Sequence, residues 1–503
     1  MEGKAGARVG WPEVLAAVAS RRWRGEEVSG LTDDSRAVQR GGIFVALRGL
    51  ASDGHAHAGE AVARGAALIV CEAELSVGVP TCRVGSGRGA LSALADLWYG
   101  QPSRRLKVVG VTGTTGKTTT AWLTAGVLRA AGIGTGVLGT AGAVLADGQR
   151  RAVAWTTPPP MVLHGLLAEA VAQGLGAVVM EVSAQGIAQA RVDDCAFDVA
   201  ALTNLSREHG EYFADLESYR AAKVRLFAGL GAQGKAAVAV LNAGQPEVEV
   251  FRRACGVGRL EYGPGGDVEV LRMQGRGMEG SDLLVGLPGA EPLQVRLRLP
   301  GRHNVENALC AVAVGSALGL PREAIAAGLA GARGVPGRLQ EIQRGPWRVV
   351  VDYAHTPAGL RGVLGFLRPI TAGRLVLVMG ARGGRDQGKR PLMGAVAAAL
   401  CDEVILSADR PEPEDAEAAA GPMREAIAGV GVPVRFVRDR WQALQQALCG
   451  RVAGDCVVVV GKGDEPWQND AEDDLPGDDV TACRQALLQA RAAAPASVGT
   501  VAR

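Results

Sequence analysis

The sequence predicts an α/β fold divided into three domains. Three observations predict it. The chain has 503 residues, and a prior of about one domain per 150 residues gives about three. Short apolar runs alternate with helical patterns in two separate blocks, which argues for mostly parallel sheets covered on both faces. A Gly/Thr loop, residues 113–119, sits between a strand pattern and a helix pattern, where such a fold places its ligand. The expected domains are residues 1–105, 106–336 and 337–503.

In the first domain, residues 42–47 and 66–71 read as strands and residues 91–99 as a helix, with a boundary at Gly100-Gln101-Pro102-Ser103. In the second, strands are expected at 107–111, 177–182, 198–202 and 236–241. Its helices are expected at 117–131, 160–173, 216–230 and 304–318. Residues 244–299 are Gly-rich with short alternating runs and read as antiparallel strands. In the third, strands fit 348–353, 375–379, 403–406 and 456–460, and helices fit 388–400, 416–429 and 441–448. No repeat of fixed period occurs.

Composition excludes several classes. Lys+Arg 54 against Asp+Glu 52 leaves a net charge of +2, too small a field for a generic nucleic-acid binder. Hydrophobic content of 48% supplies several cores, and 21% charged residues is too few for a disordered chain. None of the nine cysteines forms a C-x-x-C pair, which suits reduced, buried thiols and a cytoplasmic protein. The polar N-terminus lacks a signal-peptide core, and no apolar stretch reaches the ~18 residues needed to span a bilayer. Stable membrane insertion and nucleic-acid partners are therefore not expected.

The sharpest motif is Gly113-Thr114-Thr115-Gly116-Lys117-Thr118-Thr119. Its glycines let backbone N–H groups approach phosphate oxygens; Lys117 would neutralise terminal phosphate charge and Thr118 would reach Mg²⁺. It is a shortened phosphate loop, since the longer G-x-x-x-x-G-K-T spacing would require glycine where Val111 stands. Glu181 closes another strand pattern, where a carboxylate would coordinate Mg²⁺. On their own residues, His209 reads as a satisfied loop histidine more readily than as a ligand, and Lys223 as a solvated helix lysine.

Together these motifs resemble those of the ATP-dependent Mur ligases, and more narrowly the UDP-N-acetylmuramoyl-tripeptide synthetases. The resemblance runs from about Leu31 to Leu488 and rests on ordered strings. These include Asp34-Ser35-Arg36, Thr156-Thr157-Pro158, Glu181-Val182-Ser183 with Gln189 and Arg191, and residues 203–209 and 219–223. Further along come Asn304-Val305-Glu306-Asn307, Gly337-Arg338, residues 352–357 and residues 388–394.

The resemblance implies an N-terminal UDP-binding domain, a central ATP-binding domain and a C-terminal Rossmann-like amino-acid-binding domain. It implies a ligase that uses ATP and Mg²⁺, as a monomer in the cytoplasm, to join a free amino acid to UDP-N-acetylmuramoyl-L-alanyl-D-glutamate in peptidoglycan synthesis. The carboxylate would become an acyl phosphate, which an amine then attacks. Lys117, Glu181, His209 and Lys223 would be catalytic. Thr118, Glu181, His209 and a carbamylated Lys223 would hold metal. Gly113, Thr114, Thr115, Gly116, Lys117, Thr118, Thr119, Asn304, Arg338 and Asp352 would contact ATP. Ser35, Thr156, Thr157, Ser183, Gln189 and Arg191 would bind the UDP-dipeptide, and Arg390, Asp409, Arg410, Pro411, Glu412, Gly461 and Glu465 the amino acid.

Three strings depart from the family pattern. Diaminopimelate enzymes typically read D-N-P-R where this chain reads Asp409-Arg410-Pro411-Glu412. A carboxylate there would repel a substrate carboxylate, whereas Glu412, Asp409 and Glu465 would form an acidic pocket for an ammonium. Lysine or ornithine is therefore expected slightly ahead of meso-diaminopimelate. Ala184-Gln185 replaces Ser-His after Ser183, and Asp464 replaces His in residues 461–465. From Asp464 to Asp479 eight carboxylates occur without a basic residue, which reads as a solvated loop. Two other readings are a Mur-ligase relative with a different acceptor and a catalytically silent nucleotide-binding scaffold. Retention of Lys117, Thr118, Glu181, His209 and Lys223 argues against silence.

Overall fold

The computed structural model describes residues 7–49, 52–206, 212–213, 215–381, 387–409, 414–465 and 477–493. His209, Arg410, Pro411 and Glu412 lie outside these residues.

Three sheets carry the architecture. The N-terminal sheet has four parallel strands in the order Leu31–Thr32, Ile43–Val45, Leu68–Cys71, Thr81–Arg83. The central sheet has eight. Six are parallel, in the order Thr135–Gly139, Ala177–Glu181, Lys107–Thr112, Val199–Leu202, Val238–Asn242, Gly258–Tyr262. Two antiparallel strands, Gly142–Val144 and Arg150–Arg151, extend its edge beyond Thr135–Gly139. The C-terminal sheet has six, in the order Gln340–Gln343, Arg348–Asp352, Cys456–Val460, Leu375–Ala381, Glu403–Ala408, Val434–Phe436. Only its first pair is antiparallel.

The strands are apolar on both faces because helices cover both. Cys456–Val460, read C-V-V-V-V, is buried throughout. Gly110 interrupts the valines of Lys107–Thr112 for a steric reason: a Cβ there would lie 2.7 Å from the Phe197 ring. The two large sheets carry the site at their strand ends. Glu181 closes its strand beside Val111, and Asp352 closes its strand beside Val460.

Several expectations need correction. The helix expected at 91–99 begins at Gly87, because the Ser86 hydroxyl caps it by accepting from Gly89 N–H at 3.1 Å. Residues 244–299 are not all antiparallel: they begin with a helix, Val248–Ala254, and a strand, Gly258–Tyr262, that joins the parallel sheet. Only Glu269–Gly275, Ser281–Leu287 and Ala290–Leu297 form the antiparallel sheet. Helix Arg322–Gly331, not anticipated, packs that sheet against the helix Lys117–Ala130; Val285, Leu293, Leu329 and Val127 share one core. The ends of the acidic run are not solvated. Asp479 is fully buried and Asp464 nearly so.

Candidate active site

The phosphate loop follows Lys107–Thr112 and opens the helix Lys117–Ala130. Its glycines are conformational and steric necessities. Gly113 has φ +149° and a Cβ there would meet Thr203 Oγ1 at 1.9 Å; Gly116 has φ +80° and would meet Asn307 Oδ1 at 2.3 Å. Asn204 shapes the loop from the next strand end. Its carbonyl accepts from Thr114 N–H and its Oδ1 from Thr115 N–H, both at 2.9 Å. Lys117 Nζ donates to the carbonyls of Gly113 at 2.9 Å and Thr114 at 2.8 Å, curled over the loop where a terminal phosphate would replace those contacts.

Glu181 is 2% exposed. It accepts from Thr140 N–H at 2.9 Å and from the Thr140 hydroxyl at 3.3 Å. Burial pushes its pKa up, opposed by the charge of Lys117 and by a hydrogen bond from Thr118. A buried carboxylate beside a hydroxyl is a hard-oxygen donor set, and a divalent cation would relieve the cost of keeping it ionised. The residues thus fit Mg²⁺. Lys223, also buried, donates to the Gly113 carbonyl at 3.0 Å and lies 4.5 Å from the Tyr219 ring.

The expected dipeptide-binding segment is brought together. Thr157 donates to the Glu181 carbonyl at 3.0 Å, and Ser183 N–H donates to Thr157 Oγ1 at 2.8 Å. Arg191 donates to the Thr157 carbonyl at 2.6 Å and to Gln189 Oε1 at 2.6 and 3.1 Å. Thr156 is hydrogen-bonded to Thr140 at 2.9 Å.

Across the cavity, Asp352 accepts from Leu339 and Ala354 N–H groups, both at 2.7 Å. Burial pushes its pKa up, opposed by Arg338 and by His303. Arg338 stacks 3.8 Å above the Tyr353 ring. Asn304 donates to the Pro300 carbonyl at 2.8 Å and accepts from Asn307 at 3.1 Å. A cavity of about 360 Å³ joins these groups. Thr114–Thr119, Thr156, Thr157, Glu181, Ser183 and Arg191 line it with Asn304, Arg338 and Asp352.

Sequence reasoning left several lining residues unassigned: Thr140, Trp155, His303, Asn307 and Tyr353. Trp155 had a signal in its position, one residue before the Thr-Thr-Pro turn; the residue is 46% exposed and its ring lies 5.9 Å from the Arg191 guanidinium.

Other expected residues are not brought to this cavity. The Ser35 hydroxyl donates to Glu60 at 2.6 Å, in the N-terminal sheet region. Arg390 is buried and forms a bidentate pair with Glu414, both contacts 2.7 Å. Asp409 lies 3.5 Å from Lys462 Nζ, with both side chains buried. Glu465 accepts from the Tyr353 hydroxyl. Of the expected acidic pocket, Asp409 meets the chain's own ammonium at Lys462, Glu465 meets the Tyr353 hydroxyl, and Glu412 lies outside the described residues. Gly461, with φ +112°, turns the chain beside Asp409.

A phosphate loop at the strand ends of one parallel sheet, facing the strand ends of a second α/β sheet across a shared cavity, defines a nucleotide-binding cleft between two domains. Comparison with known proteins places it. Residues 27–99 match the model of the Mur ligase family, catalytic domain; residues 111–315 the Mur ligase middle domain; residues 337–463 the Mur ligase, glutamate ligase domain. The chain belongs to the Mur ligase family. It is 36% identical over 471 residues to the UDP-N-acetylmuramoyl-L-alanyl-D-glutamate--2,6-diaminopimelate ligase of Bacillus licheniformis, covering 92% of this chain and 95% of the relative. It is 38% identical to the UDP-N-acetylmuramyl-tripeptide synthetase of Roseiflexus sp., with the same coverages. A solved UDP-N-acetylmuramoyl-L-alanyl-D-glutamate--2,6-diaminopimelate ligase superposes with TM-score 0.65 at 29% identity, covering 93% of this chain and 96% of that one. The protein is thus an ATP-dependent, Mg²⁺-using, amide-bond-forming ligase of the peptidoglycan family. The expected preference for lysine or ornithine finds no support here, since the first of these relatives is named for diaminopimelate. Among the described residues no helix is long and apolar enough to cross a membrane.

Proposed function

We propose that this enzyme adds meso-diaminopimelate to UDP-N-acetylmuramoyl-L-alanyl-D-glutamate, as a cytoplasmic monomer with domains at residues 1–105, 106–336 and 337–503. The observation that carries the reading is the single cavity in which the phosphate loop, Glu181 and the Thr157–Ser183–Arg191 cluster meet Arg338 and Asp352. It holds side chains suited to a nucleotide and to an anionic acceptor within one volume.

The chemistry follows from charge. The D-glutamyl carboxylate must attack the γ-phosphate of ATP, so two anions have to approach. Lys117, turned away from the Gly113 and Thr114 carbonyls, meets the terminal phosphate. Thr118, Glu181, His209 and Lys223 as its carbamate are the proposed Mg²⁺ ligands; bound there, the metal neutralises phosphate charge and orients the reacting oxygens. Gly113–Thr119 present backbone N–H groups to the phosphates, and Asn304, Arg338 and Asp352 hold the rest of the nucleotide. Ser35 holds the uridine end. Thr156, Thr157, Ser183, Gln189 and Arg191 orient the dipeptide, with Arg191 gripping its carboxylate by charge-assisted hydrogen bonds. The carboxylate oxygen bonds to phosphorus as ADP leaves. The amine, having lost one proton to solvent, then attacks the acyl carbon; the acyl C–O bond breaks, and a second proton passes from nitrogen to the departing phosphate.

Arg390 and the residues around 409–412, with Gly461 and Glu465, are proposed to receive the amino acid. Diaminopimelate is favoured because relatives covering nearly the whole chain are named for it, and because Asp409 is already paired with Lys462. Phosphate release from ATP, Mg²⁺ and the UDP-dipeptide, with diaminopimelate, lysine and ornithine offered in parallel, tests this. Release with diaminopimelate is expected. Release with lysine or ornithine alone would overturn the acceptor, and release with none of the three would overturn the substrate assignment.

A further inference from the structure

The loop at residues 461–465 does more than approach the amino-acid region. Asp464 there is 5% exposed at its side chain, and its two oxygens meet arginines from the central and the C-terminal regions. Oδ2 lies 2.7 Å from Arg150 Nη2, and Oδ1 lies 3.4 Å from Arg338 Nη1. Arg150 belongs to the antiparallel strand Arg150–Arg151 at the edge of the central sheet, and its Nε donates to the Ala141 carbonyl. Arg338 opens the C-terminal region and lines the cavity.

We infer that Asp464 is a positioning residue that ties the edge of the central domain to the C-terminal domain and so fixes Arg338 for ATP. This rests on the reading of Arg338 as a nucleotide contact.

The backbone packs tightly beside this contact. Gly337 has φ +67°, and a Cβ there would lie 2.4 Å from Asp464 N; Gly463 has φ +58°, and a Cβ there would lie 3.0 Å from Arg338 Nη1. The two segments therefore interlock with no room for side chains between them. Leu339, the next residue, keeps φ +42°, a conformation disfavoured for a branched side chain and held here by its N–H bond to Asp352. Arg338 is then confined by Asp464 on one side, by the Tyr353 ring beneath it and by the Gly337 carbonyl at 3.3 Å. Without Asp464, Arg150 and Arg338 would face each other as like charges, and nothing among these contacts would link the central edge strand to the guanidinium.

The test uses the full chain. Asp464→Asn keeps the shape and removes the charge. Arg150→Gln removes the distal partner, which does not line the cavity. Each is expected to lower kcat/KM for ATP about tenfold, the scale of one charge-assisted contact, with KM for the UDP-dipeptide within about twofold; the melting temperature should hold in Arg150→Gln, whose side chain is 40% exposed. The double variant should be no worse than either single one, because both cut the same link. Arg150→Lys should recover most of the loss. Unchanged kcat/KM for ATP in the single variants would overturn the proposal. So would losses that add, or an equal rise in every KM with a lowered melting temperature. Arg338→Gln separates the two readings. If it weakens ATP while Asp464→Asn is silent, only the link fails; if it too is silent, the assignment of Arg338 fails first.

Discussion

The ammonium of Lys223 reaches across from its helix to donate to the Gly113 carbonyl at 3.0 Å, so the phosphate loop and the helix Leu216–Ala228 meet at one buried point. A solvated helix lysine would not be 1% exposed. Burying its charge is costly unless it is paired or chemically altered.

The first prediction tests the carbamate proposed at Lys223. A neutral Lys223 amine attacking CO₂ and losing one proton would become a carbamate, an anion at the metal site. Activity should then fall in CO₂-stripped buffer and return with bicarbonate. Lys223→Gln should lose roughly a hundredfold in kcat, as when one aligned charged group is removed from a transition state. Native mass spectra in bicarbonate should gain the mass of one CO₂ on wild type only. Full activity of Lys223→Gln, or no response to bicarbonate, would sink the idea.

Which parts of this site the sequence discloses has a physical explanation. Gly113 and Gly116 are visible because a phosphate loop needs particular residue types at adjacent positions. Glu181 is visible because it closes an apolar strand. Asp464 is not: sixteen positions of mostly polar chain from Asp464 to Asp479 look solvated, and only the arrival of Arg150 and Arg338 from elsewhere buries its carboxylate. Asp409 fails for the same reason, since Lys462 reaches it from the end of Cys456–Val460, a strand separated from Glu403–Ala408 by Leu375–Ala381. Helix Arg322–Gly331 starts without a side-chain cap, so Pro321 and Glu323 are its only start signals, and its partners in the antiparallel sheet fix it instead.

A second prediction concerns pH. Asp96 Oδ1 and His164 Nδ1 lie 3.3 Å apart between the helices Gly87–Trp98 and Pro160–Ala172. Burial pushes Asp96 up to about 6, with Asp194 adding to the rise while Gln101 and Arg104 oppose it; burial pushes His164 down to about 4. Between pH 4 and 6 the folded pair is a neutral acid beside a neutral imidazole, holding one proton on Asp96. The unfolded pair also holds one, on His164. The proton counts match, so the pair contributes almost no pH slope. Asp96→Asn leaves a histidine protonated only when unfolded, and stability should rise with pH over this window. His164→Leu leaves an acid protonated only when folded, and stability should fall with pH. Either slope is at most about 1.4 kcal/mol per pH unit. Urea midpoints across pH 4–6 read the signs, and equal slopes in both variants would refute the pairing.

The last prediction tests how the C-terminal sheet is held. Arg440 donates to Asp479 at 2.8 and 2.7 Å, to the Ser407 hydroxyl at 3.1 Å and to the Val460 carbonyl at 2.9 Å. Asp479 opens the helix Asp479–Ala493, while Ser407 and Val460 lie on two different strands. Asp479→Ala would strand a buried guanidinium and should cost about 3–5 kcal/mol. Adding Arg440→Met removes the charge as well and should restore much of that loss, since the desolvation of both ions disappears with the pair. Denaturant unfolding followed by far-UV circular dichroism measures both variants. If the double variant is as unstable as Asp479→Ala alone, the cost lies in lost packing and helix capping, not in an unpaired charge.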